Sequence, residues 1–176
     1  MFGFCWGALS NYLAIYSKEA LGITGGTGTY FAILSTGLFL SRLQGQKSLR
    51  EGKLTNNAAE GMCLSLVGFI LFVAVPHPVA YYLSALMIGL GNGHLYPAFL
   101  NMFVAVARHD QRGTANSSIL TGWDLGFGFG CLLGGVVAEH WGYAATFWMV
   151  TAENAIGVML FFLATRQFFV ARKRKD

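Results

Sequence analysis

The residues of this sequence that could do chemistry are polar side chains near the middle of long apolar runs. The first run holds Asn11 and Tyr12, the fourth holds Asn92 and His94, and the fifth holds Asp124. A polar group at that depth is expensive in lipid unless it faces water or a polar partner. All five lie within about two helical turns of the centre of their run, hence at a similar depth. This shared depth favours a polar site in the interior of a membrane protein.

Asp124 and His94 are the candidates for proton chemistry. A carboxylate in the middle of a helix takes up a proton as its surroundings dry, because desolvation disfavours its charged form. Histidine changes its charge near physiological pH and could share that proton or bind a substrate. Each also has a structural alternative, in which Asp124 is permanently hydrogen-bonded within the bundle and His94 packs against a neighbouring helix.

Asn11, Tyr12 and Asn92 are candidates for substrate binding, since amides and phenols hydrogen-bond small solutes. They could equally join neighbouring helices. Glu153, beside Asn154 in the sixth run, is also central, and a buried bond to a neighbouring helix explains it as well as a functional role does.

Enzymatic chemistry is not indicated. The cysteines Cys5, Cys63 and Cys131 are odd in number, widely spaced and each within an apolar run, so no metal site or disulfide framework follows from them. No His-rich set and no nucleophile–base pair is evident. The sequence therefore predicts no catalytic residue, no metal and no cofactor.

The composition predicts that the bilayer surrounds these runs. Hydrophobic residues make up 55% of the 176 positions and charged residues 11%, against about a quarter charged in soluble domains. The net charge of +4 does not indicate nucleic-acid binding, because the basic residues flank apolar runs and form no continuous face.

Six of the runs approach the length of about 20 residues that crosses a bilayer as a helix. The predicted fold is a single all-α integral membrane domain over 1–176, with six transmembrane helices at about 2–16, 27–43, 58–75, 81–107, 114–138 and 144–170. Irregular backbone does not face lipid, and the runs are too long for barrel strands. Pro76-His77-Pro78 separates the third helix from the fourth.

The Lys and Arg residues predict the orientation. With six crossings, Lys18 alone among the 12 lies on one side, and the other eleven lie with both termini on the opposite side. Because Lys and Arg concentrate in cytoplasmic segments, both ends are predicted to be cytoplasmic, in a multi-pass protein of the cell inner (plasma) membrane. The eleven are Arg42, Lys47, Arg50, Lys53, Arg108, Arg112, Arg166, Arg172, Lys173, Arg174 and Lys175.

Two helices carry unusual patterns of small residues. The fourth holds three alternate glycines and then Pro97, in the stretch GLGNGHLYP, which predicts a bend at membrane depth. The fifth has a small residue at every fourth position, a ridge that lets another backbone approach closely. We call it the small-residue ridge, and its members are Thr114, Ser118, Gly122, Gly126, Gly130, Gly134 and Ala138.

These features resemble the carboxyl-terminal half of a major facilitator superfamily transporter. The stretch from Gly89 to Pro97, followed by Arg112-Gly113-Thr114-Ala115-Asn116, is similar to that family's tenth and eleventh helices. Arg42-Leu43 with Gly45, and Gly52-Lys53-Leu54 later, resemble its degenerate loop motif. The usual aspartate of that motif is missing, because Thr55-Asn56-Asn57 stands where it would be sought.

The resemblance implies which helices form the site. In that family the first and fourth helices of a half line the central cavity, the second and fifth flank it, and the third and sixth face lipid. Asn11, Asn92, His94 and Asp124 are then cavity residues, and Glu153 has a packing role. The resemblance also implies a small solute moved by rocking, with a proton or sodium gradient as the driving force.

A complete member of that family has two six-helix halves, and this sequence predicts one. The alternatives are a fragment of a longer protein, a half that pairs with itself, or a half that pairs with a separate chain, and the abrupt apolar start favours the fragment. The expected partners are the lipid bilayer, a small-molecule solute and a second six-helix half, with no nucleic acid. The competing hypothesis is a non-transporting membrane scaffold or subunit, packed through the small-residue ridge of the fifth helix.

Overall fold

A computed structural model describes the backbone of residues 1–173 and the side chains of all of these except 46, 47, 49, 50 and 171–173. Several basic residues used above to predict orientation therefore lie outside the described side chains, namely Lys47, Arg50 and the tail Arg172 to Lys175. The described backbone is helical throughout apart from short connections, and residues 1–173 contain no strand. The all-α prediction is confirmed.

The first two helices are longer than the apolar runs that predict them. α1 spans Phe2–Leu21 and ends at Gly22, whose left-handed backbone (φ 65°) lets the Gly22 amide donate to the Lys18 carbonyl at 3.1 Å. α2 spans Thr27–Arg50 and begins after Gly25 and Gly26, which also have positive φ. Both helices continue through charged residues beyond the apolar segment.

The third and fourth helices meet at the prolines. α3 spans Leu54–Ala74, and α4 spans Pro78–Val106. Pro78 occupies the first position of α4, where a backbone N–H would have no partner within the helix, so the missing N–H of proline costs no hydrogen bond. The His77 ring accepts a hydrogen bond from the Val79 amide at 3.2 Å. Pro97 lies inside α4.

The last third of the chain is one long helical stretch broken at a glycine. A 3₁₀ turn at His109–Gln111 leads into α5, Arg112–Leu160, which contains a break at Gly142 (φ 83°, ψ 167°). Only glycine adopts that conformation without strain. The break divides α5 into a first arm (112–141) and a second arm (143–160). A π-helical turn, Phe161–Thr165, joins the second arm to α6, Arg166–Lys173.

Two stretches of the described chain are long and apolar enough to cross a membrane, judged by length and composition alone. They are Leu54–Ala74 and His109–Val170, and the second has 62 residues. Because about 20 residues suffice for one crossing, the second stretch has the length for two, one on each side of Gly142. The count of six crossings remains a prediction.

Glycines bring three pairs of helices into backbone contact. α1 crosses the first arm of α5 where a Cβ on Gly7 or Gly130 would overlap a carbonyl of the other helix. A Cβ on Gly37 of α2 would lie 2.6 Å from the Leu86 carbonyl oxygen of α4, and Gly61 of α3 is equally close to the Gly91 carbonyl of α4. These contacts fix the positions of the helices that carry the candidate residues.

The small-residue ridge of the first arm finds its partner within the chain. From Gly126 to Gly134 the ridge packs on α1, against the backbone of Gly3 and Phe4 and the ring of Tyr12. A Cβ on Gly122 would meet nothing within 4 Å. Close helix packing, which the ridge predicts, is thus found at three of its seven members, Gly126, Gly130 and Gly134.

Buried aromatic rings form the main core at the end of the bundle where α1 ends and α4 begins. Tyr30 and Tyr81 have ring centroids 4.6 Å apart, and Phe72 lies 4.8 Å from Phe147. Tyr16 contacts Phe72 and completes the cluster. This core ties α1, α2, α3 and α4 to the second arm of α5.

Candidate functional site

A cleft opens between α1, α2, α4 and the first arm of α5. It has two adjoining parts, of about 310 Å³ and about 120 Å³, which share Arg42, Gly93, Tyr96 and Pro97. We call it the central cleft. Its larger part is also lined by Ser41, Gly45 and Leu100, and its smaller part by Trp6, Leu38, Asn92 and Trp123.

Three aromatic side chains from three helices line the smaller part. Trp6 comes from α1, Tyr96 from α4 and Trp123 from α5, and each is partly buried. The Tyr96 and Trp123 rings pack edge to face, with centroids 5.6 Å apart and an interplanar angle of 85°. Partly exposed ring faces of this kind offer a surface on which a planar or apolar solute packs.

Asn92 contributes an amide to the cleft at the midpoint of α4. The helix runs from Pro78 to Val106, so Asn92 is equally far from both ends. Its side chain is 8% exposed and donates a hydrogen bond to the Ile88 carbonyl at 3.0 Å. The structure thus places this predicted site residue in the wall of the central cleft.

Arg42 contributes a positive charge to both parts of the cleft. It lies on α2 one turn beyond Leu38, with an exposed side chain. Among the described residues no carboxylate forms a salt bridge with it. The close approach of α2 to α4 holds it beside the cleft, since a Cβ on Gly93 would overlap the Ser41 hydroxyl.

His94 faces away from the central cleft. Residues two apart on a helix point about 200° apart, so His94 and Asn92 occupy opposite faces of α4. The His94 Nδ1 lies 2.9 Å from the Asn57 Oδ1, and the Asn57 amide donates to the His94 carbonyl at 3.2 Å. This buried pair joins α4 to α3. The structure does not bring His94 together with Asn92.

The His94 face borders a second groove, of about 550 Å³, between α2, α3 and α4. Glu60 and Cys63 of α3 line it and are exposed, whereas Asn57 is fully buried. A Cβ on Gly45 would lie 2.9 Å from the His94 Nδ1, so α2 closes one side of the groove.

Asn11 and Tyr12 lie at the contact between α1 and the first arm of α5. The Asn11 amide donates to the Gly7 carbonyl and to the Cys131 Sγ, both at 2.9 Å. The Tyr12 hydroxyl donates to the Cys131 carbonyl. Neither side chain lines the central cleft, although Asn11 is exposed on the bundle surface.

Asp124 follows Trp123 directly on the first arm of α5. Its side chain is exposed, and it forms no salt bridge within the part of the chain that the structure describes. It lines neither part of the central cleft, and it lies on an exposed face of the first arm.

Glu153 and Asn154 belong to a polar contact among α1, α3 and the second arm of α5. The Cys5 thiol donates to the Glu153 Oε2 at 3.1 Å, and the Asn154 amide donates to the Ser65 hydroxyl at 3.3 Å. These bonds fit the packing role that the resemblance implies for Glu153. Within the described residues, no three His, Cys, Asp or Glu side chains are grouped so as to hold a metal ion.

Sequence reasoning missed four residues of the cleft: Trp6, Arg42, Tyr96 and Trp123. A usable signal existed for Tyr96, which lies one turn after Asn92 and therefore on the same face of α4. The sequence explains Arg42 as a cytoplasmic orientation signal, and nothing in it shows that α2 continues for eight residues beyond Arg42. Trp6 and Trp123 gave no signal beyond their residue type.

Comparison with known protein families gives one match. A family described as the Major Facilitator Superfamily matches residues 58–175, which is more than half of the chain. The matched region includes most of α3 and all of α4, α5 and α6, whereas α1 and α2 precede it. No curated protein matches the chain.

Proposed function

This chain belongs to the Major Facilitator Superfamily, and from that premise we propose that it is one six-helix half of a secondary transporter. Members of the family are transporters that act in a membrane on small solutes. The half moves its solute by alternating access, in which the solute site opens to one side of the membrane and then to the other.

The central cleft is the observation that carries this proposal. It lies at the middle of α4 and is lined by α1, α2, α4 and the first arm of α5. These are the first, second, fourth and fifth of the six proposed crossings. A cleft with an amide, a cation and three aromatic rings at that depth is a site for a solute rather than a packing defect.

The six crossings are α1, α2, α3, α4 and the two sides of the Gly142 break. The two stretches that are apolar enough by composition account for three of them. The other three, α1, α2 and α4, are not among those stretches, and they are also the helices that give the cleft Trp6, Arg42 and Asn92. Helices that line a wet interior need fewer apolar residues, which reconciles their composition with crossing the bilayer.

The charged connections support cytoplasmic termini. With six crossings the connection after α1 holds none of the twelve Lys and Arg residues, and Lys18 lies in the last turn of α1. The connections after α2 and α4 lie on the opposite side, with Lys53 and Arg108. We place the protein in the inner (plasma) membrane on this basis.

Asp124 is the proposed coupling residue. It is an exposed carboxylate that follows the cleft residue Trp123 in the chain, and its face of the bundle is the one that we propose a second six-helix half covers. Protonation there removes a charge from that face, which is how a proton gradient biases two conformations. Asn92 binds the solute directly. Asn11 and Tyr12 contribute through the contact of α1 with α5, and His94 through the contact of α4 with α3.

Thiol labelling from both sides of the membrane tests the proposal without knowledge of the solute. In a background with Cys5, Cys63 and Cys131 replaced by serine, Asn92→Cys is exposed to a membrane-impermeant methanethiosulfonate in right-side-out and in inside-out vesicles. Alternating access predicts reaction from both sides. Met159→Cys, which is 53% exposed on the second arm, is the matched control and stays unreactive because it faces lipid.

Two results would contradict the proposal. Asn92→Cys that reacts from neither side marks a sealed cleft, which is the outcome expected of a packed scaffold. Asn92→Cys that reacts from one side only marks a blind cleft, which does not alternate. Arg108→Cys, in the connection after α4, shows in inside-out vesicles that the reagent is active, and Lys18→Cys, in the last turn of α1, does so in right-side-out vesicles.

A further inference from the structure

We infer that the central cleft takes an anionic solute that carries an aromatic ring, with the anion on Arg42 and the ring among Trp6, Tyr96 and Trp123. The inference rests on the proposed transport function and adds a substrate class to it. It comes from the charge and the shape of the cleft.

The charge of the cleft is positive. Of the residues that line its two parts, Arg42 alone carries a formal charge, and no carboxylate lines either part. Within the described residues, Arg42 has no salt-bridge partner. A guanidinium presents a planar fork of N–H donors that matches a carboxylate or a phosphate in two parallel bonds. A cationic solute would instead meet a like charge at the point where the two parts of the cleft join.

The lining of the cleft places the charge beside the rings. Arg42 and Tyr96 line both parts of the cleft. Trp6 and Trp123 line only the smaller part, of about 120 Å³, which Arg42 also lines. The smaller part opens into the larger one, so a ring can enter with its anionic group directed toward Arg42.

The polar group of the smaller part adds directional recognition. Asn92 lies in the same wall as Tyr96, one turn away on α4. An amide beside the ring pocket both donates and accepts, so it suits a hydroxyl, carbonyl or amine on the solute. The cleft thus offers a cation, aromatic rings and an amide to one solute.

A set of three naphthalene ligands, one anionic, one neutral and one cationic, tests the class. The full chain in nanodiscs is titrated with tritiated 2-naphthoate, and unlabelled 2-naphthamide and 2-naphthylmethylamine compete as the neutral and cationic analogues. We expect 2-naphthoate to bind roughly 10- to 100-fold more tightly than the amide, from one charge-assisted hydrogen-bonded pair. The amine is the weakest competitor of the three.

Matched variants assign the two recognition elements. Arg42→Gln makes naphthoate and naphthamide bind equally, and Arg42→Lys keeps part of the preference, whereas Arg108→Gln outside the cleft changes nothing. Trp123→Leu lowers the affinity for 2-naphthoate about 10-fold more than it lowers the affinity for cyclohexanecarboxylate, because only the aromatic ligand loses stacking on the indole ring. Trp148→Leu, at an exposed tryptophan of the second arm that does not line the cleft, is its control. Thermal unfolding of each variant verifies that it is folded.

The results separate this inference from the transport proposal. If the amine binds best, or if none of the three ligands binds folded protein, the substrate class is wrong. The transport proposal stands in that case if Asn92→Cys is labelled from both sides of the membrane. If Asn92→Cys reacts from neither side, both proposals fail. If the Arg42→Gln variant still binds naphthoate more tightly than naphthamide, the anion does not bind at Arg42, and the assignment of the anion site to Arg42 is wrong.

Discussion

The contact of α2 with α4 holds Arg42 opposite Asn92, and Gly37 is the residue that permits it. A Cβ added at Gly37 would lie 2.6 Å from the Leu86 carbonyl oxygen and 2.8 Å from the Leu90 amide nitrogen. Both atoms belong to the backbone of α4, so no side chain can rotate away to make room. Gly37→Ala must therefore separate the two helices or strain them.

The size of the effect follows from these distances. Ordinary van der Waals contact begins at 3.4 Å, so the helices have to separate by about 0.8 Å at this point. Overpacking of this kind destabilises by about 1–3 kcal/mol, and alanine recovers roughly 0.5–1 kcal/mol through its better helix propensity. The net loss is up to about 2.5 kcal/mol, which lowers the Tm by up to roughly 10 °C in a domain of this size.

Thermal unfolding of the purified protein in detergent measures this loss. The matched control is Gly128→Ala in α5, where an added Cβ meets nothing within 4 Å, so its Tm is expected to stay level or rise slightly. Gly37→Ala should also weaken the naphthoate preference, because Arg42 moves with α2. If Gly37→Ala melts no lower than Gly128→Ala, the close α2–α4 contact is wrong, and so is the placement of Arg42 beside the cleft.

Three further predictions follow from the same arrangement. His94→Ala destabilises by roughly 1–2 kcal/mol, since it breaks the buried pair with Asn57, yet leaves ligand binding unchanged; a loss of binding at unchanged stability would place His94 in the site. Lys18→Cys reacts with an impermeant thiol reagent only from the external face and Arg108→Cys only from the cytoplasmic face, and reaction of both from one face contradicts six crossings. Asp124→Asn abolishes gradient-driven accumulation of the solute in proteoliposomes while solute exchange persists. If this variant accumulates the solute as fully as the unmodified protein does, Asp124 is not the coupling residue.

The helical nature of the elements and the break between α3 and α4 could be predicted from the sequence, because both depend on local chemistry. Pro76 and Pro78 forbid a continuous helix, and α3 and α4 indeed meet there. The ends of α1 and α2 could not be located from apolar runs, since Lys18 and Glu19 are good helix formers that lipid does not favour. Apolar length indicates the part of a helix in the bilayer, whereas backbone hydrogen bonding continues beyond it.

The depth of polar residues could be predicted, but the direction they face could not. Asn92 and His94 are two positions apart and share a depth, yet they serve different contacts because a helix turns about 200° between them. Asn57, which stands where the family's loop aspartate would be sought, is the buried partner of His94. That pairing depends on how α3 crosses α4, which a single sequence does not specify.

The position of Arg42 beside the cleft could not be predicted from the sequence, for a physical reason. Arg42 is one of many basic residues on the predicted cytoplasmic side, and orientation explains them all without reference to a site. Only the crossing of α2 and α4 shows that this side chain lies beside Tyr96 and Pro97. Aromatic residues are common in membrane helices, so Trp6 and Trp123 can be recognised as cleft residues only from the fold that brings them together.

Water at the middle of the bundle is the central claim, and a spin label at Tyr96 measures it directly. In nanodiscs prepared in D₂O, deuterium modulation of the electron spin echo reports water around a nitroxide attached to Tyr96→Cys. We expect strong modulation there, approaching that of a label at Arg108→Cys, and almost none at Met159→Cys on the lipid face. If the label at position 96 is as dry as the one at position 159, the cleft between α1, α2, α4 and α5 holds no path for a solute, and the proposed transport route is wrong.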